Sequence, residues 1–252
     1  MNSHTIEHKL LNGGTPTEIF YPMKDSEISS QIQEIFEDEN YGFAKKEDGV
    51  YIDLGANVGM ASLYFANWAK RIYAIEPNPE IYAALVKNTA ILGDKITTHN
   101  VAWSNQNARN FMYGAGSGDI PQTFWDRTKR PDVRAITVDC VTPDVFFEQN
   151  KIEHVDILKI DVEESEYIIF PDPTFEKIVD KIDVIIGEAH VSTGGGFPEV
   201  IPHMLRDYGF ETVFPTLKEP NYSKTFTYRH LPTGMVKQYG VGFETIFIAK
   251  RP

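Results

Sequence analysis

The sequence predicts an α/β chain built on a doubly wound, mostly parallel sheet. Three observations carry this. From Gly49 onward, short apolar runs alternate with stretches of helical periodicity. Two of the runs, Ile157–Asp161 and Val184–Glu188, are almost continuously apolar, as strands covered on both faces are. The first run passes straight into a turn with paired glycines, Asp53-Leu54-Gly55-Ala56-Asn57-Val58-Gly59, where the backbone can bend sharply and approach a ligand.

Residues 1–48 precede the alternation and form an N-terminal extension expected to pack on the core. Within it Ile28, Ile32, Ile35 and Phe36 recur at helical spacing, which predicts an amphipathic helix over Ser26–Asp38. The main domain, 49–252, begins with strand Val50–Asp53. Met60, Leu63, Tyr64 and Trp68 make the apolar stripe of the helix that follows. Ile72–Glu76 is the second strand. Asn78 then supplies an N-cap and Pro79 the first helical position, Tyr82, Leu85, Val86 and Thr89 continue the helix, and Gly93 ends it. Ile96–Ala102 is the third strand, and Ile157–Asp161 and Val184–Glu188 are the fourth and fifth. Pro198–Tyr208 is a helix stopped by Gly209. Glu211–Phe214 and Phe243–Ala249 complete a seven-stranded sheet. Two insertions, 104–155 and 215–242, interrupt the rhythm; insertions this long in a compact α/β domain are more often functional than idle.

A chain of 252 residues, 42% hydrophobic and 24% charged, suits one such domain with a sizeable core and needs no disulfide or metal staple. Its one cysteine, Cys140, permits no disulfide within the chain and fits a reducing, cytoplasmic setting. The opening MNSHTIEHKL has no apolar centre, so no secretory leader is expected. No stretch approaches the run of about 20 apolar residues that a membrane helix requires, and no membrane partner is expected. A formal net charge of −12 argues against nucleic acid as the main partner, because binding a duplex requires cations to displace counterions from its phosphates.

The glycine turn is the first candidate site. The helix after it directs free N–H groups at the strand ends, which favours an anionic ligand group there, and in an open α/β sheet this carboxyl-end crevice is the expected binding place. Glu76 ends the second strand, where a carboxylate can accept hydrogen bonds from both hydroxyls of a ribose. A nucleotide-like ligand follows. The spacing Gly55-x-x-x-Gly59, with Asp53 two positions before the first glycine, differs from the G-x-G-x-x-G of dinucleotide folds.

That pattern resembles the first motif of the class I methyltransferases. VYIDLGANVG, YAIEPNP, NVAWSN, ITVDCVTPD and ILKIDVEESE occur in the order seen in the FkbM-type methyltransferases, a likeness covering about residues 17–249 and strongest at 50–79 and 155–166. The resemblance implies the Rossmann-like class I methyltransferase fold, with the last strand antiparallel, and S-adenosylmethionine as cofactor. It assigns to that cofactor Asp53, Gly55, Ala56, Asn57, Gly59, Glu76, Pro77, Val101, Ala102, Ser104 and Asp161, with Ala102 and Ser104 beside the adenine. Two positions depart from the family pattern: Glu164 stands where a glycine is usual, and Asn105 where aspartate is frequent.

The resemblance further implies transfer of a methyl group to a hydroxyl of a sugar, glycan or natural-product metabolite. A hydroxyl is a poor nucleophile while it keeps its proton, so a general base is expected. Candidates cluster at the ends of strands four and five: Asp161, Glu163, Glu166, Glu188 and His190. For Glu166, as for Glu164, the competing reading is a solvated acid at a helix start, where it suits the helix dipole. Asp161 and Glu188 end neighbouring strands in the usual order, and such a carboxylate pair can also hold Mg²⁺. For the acceptor, Arg127 and Arg130 in the first insertion and Tyr222 and Tyr228 in the second offer cations and aromatic faces suited to phosphates and sugar rings. A methyltransferase acting on protein or RNA, and a non-catalytic nucleotide-binding module, are the alternative classes.

Overall fold

Tyr51 and Ile52 are adjacent in one strand, yet they belong to opposite halves of the core. The pleat sends successive side chains to opposite faces, and the same split separates Ile157 from Leu158 and Ile186 from Ile185. Strands of this kind, apolar on both faces, form the centre of the sheet. The structure, a computed structural model, describes residues 1–43, 45–114, 119–121, 134–163, 165–191, 200–215, 225–226 and 243–252.

The extension opens with an antiparallel hairpin of β1 (Asn2–Ile6) and β2 (Thr17–Tyr21), then helix α1 (Asp25–Ile32), which continues as a π-helical turn over Gln33–Glu37. The main domain follows with β3 (Gly49–Leu54), α2 (Met60–Phe65), β4 (Ala69–Ile75), α3 (Pro79–Thr89) and β5 (Ile96–His99). Next come β6 (Ala102–Trp103), β7 (Arg109–Gly114), β8 (Asp119–Pro121), β9 (Arg134–Val141) and α4 (Pro143–Asn150). The chain then runs through β10 (Val155–Ile160), α5 (Glu166–Ile169), α6 (Pro173–Val179) and β11 (Ile182–Val191). It ends with α7 (Val200–Asp207), β12 (Glu211–Pro215), β13 (Thr225–Phe226) and β14 (Phe243–Lys250).

The main sheet has the order β13-β12-β14-β11-β10-β3-β4-β5. Its centre, β11-β10-β3-β4-β5, is parallel throughout. The last strand, β14, is antiparallel to both neighbours, β11 and β12. The seven expected strands thus form one continuous sheet, and the two-residue β13 extends its edge. Asn78 caps α3 as expected, accepting from the amides of Glu80 and Ile81.

Three features depart from the sequence expectation. The third strand stops at His99 instead of reaching Ala102. The side-chain amide of Asn100 donates to the carbonyls of Glu76 and Pro77, both at 2.9 Å, and pins the chain to the turn after β4. Ala102 and Trp103 then join a second sheet, β6-β9-β7-β8, so much of the 104–155 insertion is ordered strand and helix. The helix after the glycine turn ends at Phe65, short of Trp68.

The extension is part of the core. Ile6, Leu11, Ile19, Tyr21, Ile28, Phe36 and Tyr41 pack with Tyr51, Tyr64, Phe65 and Ile186 of the main domain. Asn88 on α3 locks the hairpin in place, donating to the Phe20 and Val58 carbonyls and accepting from the Phe20 amide, each at 2.8 Å. Among the described residues, no helix is long and apolar enough to cross a membrane.

Candidate active site

The site begins with a steric demand. Gly55 has φ +76°, and a Cβ there would overlap the carbonyl oxygen of Asp161. Only glycine lets β3 turn away from its neighbour at this point, and the Asp161 amide bonds back to the Leu54 carbonyl at 3.0 Å. The turn's amides are then used internally. Those of Gly55 and Ala56 donate to the Ile75 carbonyl, that of Asn57 to Glu76 Oε2 at 3.0 Å, that of Val58 to Asn57 Oδ1, and that of Gly59 to the Ala56 carbonyl. The amides of residues 55–59 are thus satisfied within the protein.

Glu76 holds the turn's far side. It is buried, accepts from Asn57 through Oε2 and from the Asn78 amide through Oε1 at 2.9 Å, and lines a cavity of about 490 Å³. Apolar walls from Ile81, Val101, Ala102, Val138 and Ile168 face the same space, with Gly55, Asn57, Pro77, Ser104, Asp161 and Glu163 at its rim. Trp103 also lines it, and Trp103 Nε1 is buried without a hydrogen-bond partner among the described residues.

A second cavity, of about 270 Å³, adjoins the first. Gly55, Asn57, Asp161 and Glu163 line both. Its other walls come from Ala56, Met60, Lys159 and Glu188, and from the extension: Glu27, Ser30, Gln31 and Glu34 around α1, with Asn40 and Tyr41. Asn40 Oδ1 is buried and has no hydrogen-bond partner among the described residues. Sequence reasoning missed this wall, because nothing local in the extension marks it as part of a site.

Sequence reasoning also missed Lys159, a cation in the middle of an apolar strand. Its side chain is 3% exposed. Lys159 Nζ donates to the Gly55 carbonyl at 2.6 Å and lies 3.2 Å from Asp53 Oδ1 and 3.4 Å from Asp161 Oδ2. Burial by itself lowers a lysine's pKa. Here the carboxylates of Asp53, Asp161 and Glu188 together outweigh that and raise it above the ordinary lysine value. The signal was present in ILKID, since a charge in a buried strand requires partners.

The remaining candidates fall as follows. Asp53 is fully buried behind the turn, paired with Lys159 and accepting from Ser62 Oγ at 2.6 Å; it lines neither cavity. Gly59, φ +94°, also lies off both cavities, and a Cβ there would press on Leu85 and Thr89, so it serves helix packing. Asp161 follows β10 at the level of Glu188 on the parallel neighbour β11, whose register pairs Ile160 with Gly187. Glu188 accepts from Tyr41 Oη at 2.9 Å. His190 stands in β11 opposite Glu244 of β14, and its side chain lies outside the described residues. So do Arg127, Arg130, Tyr222, Tyr228 and Glu164. Glu166 is not solvated as expected: it is fully buried and accepts from the Val162 amide at 3.1 Å, closing the turn after β10.

A parallel sheet whose strand ends carry a glycine turn, a buried glutamate and an apolar slot is the architecture that the class I methyltransferase resemblance implies. The sequence profile of the methyltransferase FkbM domain matches residues 53–212, and the chain belongs to that family. It is therefore an S-adenosylmethionine-dependent methyltransferase. The residues present fit that cofactor: Glu76 offers a carboxylate to the cavity, apolar walls suit a heteroaromatic base, and Asp161 and Glu163 line the same space.

The chain is 24% identical over 228 positions to the AMB antimetabolite synthetase AmbE of Pseudomonas aeruginosa, a match taking in 74% of this chain and 11% of that protein. The chain thus spans about a tenth of this relative's length. Solved structures with similarity across most of the chain include yhhF from Escherichia coli, at 12% identity and TM-score 0.48 over 99% of both chains. The precorrin-6y C5,15-methyltransferase from Geobacter metallireducens has 13% identity and TM-score 0.44 over 84% of both. A Streptococcus mutans protein solved in complex with SAH has 8% identity and TM-score 0.43, over 86% of this chain and 96% of that one.

Proposed function

We propose that this enzyme methylates a hydroxyl of a sugar, glycan or related natural-product metabolite. One observation carries the reading: the apolar cofactor cavity opens into a polar chamber, and among the described residues the carboxylates common to both are Asp161 and Glu163. The bound cofactor supplies an electrophilic methyl group on a sulfonium. The protein's task is to align a hydroxyl with it and accept the proton released as the oxygen–carbon bond forms.

Asp161 and Glu163 stand where that proton would leave, and Glu188 is next in line within the chamber. Asn57 and Glu163, both at the junction, adopt left-handed backbone with φ +50°. The chamber's described walls are rich in oxygen acceptors, with Glu27, Glu34, Asn40 and Glu188 beside the junction acids. That lining supports a small acceptor rich in hydroxyl donors and opposes a phosphate at the reacting end.

The test is mass spectrometry of glycans, nucleotide sugars and small polyols incubated with isotopically labelled cofactor. The expected product is an O-methyl ether. Asp161→Asn or Glu163→Gln should lower its formation by about 10²-fold or more, and in Glu163→Gln cofactor affinity should change little. Label found only in protein or RNA would replace the hydroxyl reading with a macromolecular one. Full activity in both variants would remove the junction acids as base.

A further inference from the structure

We propose that Lys159 is the resident cation of this active site, a positioning residue whose ammonium fills the place that a magnesium ion at Asp161 would need. The inference rests on the reading of Asp161 as a reacting-site carboxylate and deepens it.

Four oxygens surround Lys159 Nζ: the Gly55 carbonyl at 2.6 Å, Asp53 Oδ1 at 3.2 Å, Asp161 Oδ2 at 3.4 Å and the Leu54 carbonyl at 3.5 Å. They come from the end of β3, the turn after it and the end of β10, so the ammonium ties together the backbone segments that form the junction of the two cavities. This is the donor set a hard cation seeks: carboxylates and carbonyls converging on a buried point. It is already charged and filled by a side chain. A divalent ion between Asp161 and Glu188 would lie against that ammonium and share one of its carboxylates, and like charges at such range disfavour each other strongly in a buried site.

The arrangement also assigns Lys159 its work. Asp161 and Gly55 line both cavities, and the same ammonium holds the Asp161 carboxylate at 3.4 Å and the Gly55 carbonyl at 2.6 Å. A lysine so held keeps its proton and is no base. A single positive charge offsets the repulsion between Asp53 and Asp161, which a neutral side chain would leave uncompensated.

Magnesium itself is the probe, with the full chain saturated with SAH and read by calorimetry and thermal melting. Wild type should show no magnesium binding that Asp161→Asn or Glu188→Gln abolishes. Lys159→Ala should melt lower and gain magnesium binding that restores its melting temperature, whereas Lys159→Met, which fills the space with an apolar chain, should gain none. If Lys159→Ala fails to fold, Asp53→Asn combined with Lys159→Met removes both charges of the pair. That variant should bind SAH at least about tenfold more weakly, because Asp161 and Gly55 have lost their anchor. Three results overturn the proposal: wild-type magnesium binding lost in Asp161→Asn, a folded Lys159→Ala with no magnesium response, or unchanged SAH affinity in the double variant. None of these readouts uses an acceptor, so failure of the hydroxyl reading and failure of this one are separately visible.

Discussion

The phenol of Tyr41 donates a hydrogen bond to Glu188 Oε1 at 2.9 Å, joining residues 147 apart in the chain. The same ring lies 5.7 Å from the Lys159 ammonium. Through this contact the N-terminal extension becomes a wall of the second cavity, the proposed acceptor chamber.

Tyr41→Phe should therefore separate the two ligands. A hydrogen bond to a charged group contributes about 1.5–3 kcal/mol, and urea unfolding should show a loss of that order. Tyr41 lines only the chamber, so acceptor KM should rise while cofactor Kd stays constant. Equal changes in both would mean that the extension supports the whole site and does not read the acceptor.

Glu76 is expected to govern cofactor affinity. Glu76→Ala removes the carboxylate and releases two amides it now holds, those of Asn57 and Asn78. Loss of charge-assisted contacts worth about 1.5–3 kcal/mol corresponds to a rise in Kd of roughly 10–100-fold, measurable by calorimetry with SAH. Glu76→Gln, which keeps one acceptor oxygen, should fall between. An alanine variant that binds as tightly as wild type would reduce Glu76 to a brace for the turn.

Asn40→Leu should give opposite effects on folding and function. Its Oδ1 is buried without a partner among the described residues, a state that costs free energy in the protein alone. Replacing it with an apolar side chain of similar size should leave stability unchanged or raise it by about 1 kcal/mol. Acceptor KM should rise at the same time, the trade expected where a group is kept for binding. A destabilised variant with normal kinetics would show that Asn40 is structural.

Alkaline pH should reveal Tyr51. Burial, aided by the charges of Asp156 and Glu47 and opposed by its backbone hydrogen bond at Lys46, pushes its pKa up to about 12. The phenol accepts from the Lys46 amide at 2.7 Å and donates to the Lys46 carbonyl at 3.1 Å. The folded chain therefore keeps a proton that the unfolded chain releases near pH 10. Its contribution is intact below about pH 10 and disappears as pH rises toward 12, on the order of 2 kcal/mol. Tyr41, raised above the ordinary tyrosine value chiefly by burial and then by Glu188, acts with the same sign. Urea midpoints followed through this range should fall, and less steeply for Tyr51→Phe. A slope identical to wild type would exclude Tyr51 as the group responsible.

Local rules made much of the molecule legible. Asn78 and Pro79 announce α3, the nearly continuous apolar runs in VYIDL and DILKI announce buried strands, and the glycine turn with Glu76 at the next strand end marks the edge of the larger cavity. Lys159 was legible in principle, as a charge with no business in a buried strand unless paired. Glu166 was misread because a helix-start acid and a buried turn-closing acid look alike until the turn is folded.

Periodicity, capping and the φ freedom of glycine act within a few residues, so the sequence by itself determined the order of the elements, the faces of the strands and the place of the glycine turn. Only the tertiary structure decided that Lys159 neutralises Asp53 and Asp161, and that Asn40 and Tyr41 line the second cavity. Those relations depend on strand register and on packing between segments more than 100 residues apart, and no short-range pattern encodes which distant side chains a folded sheet will bring face to face.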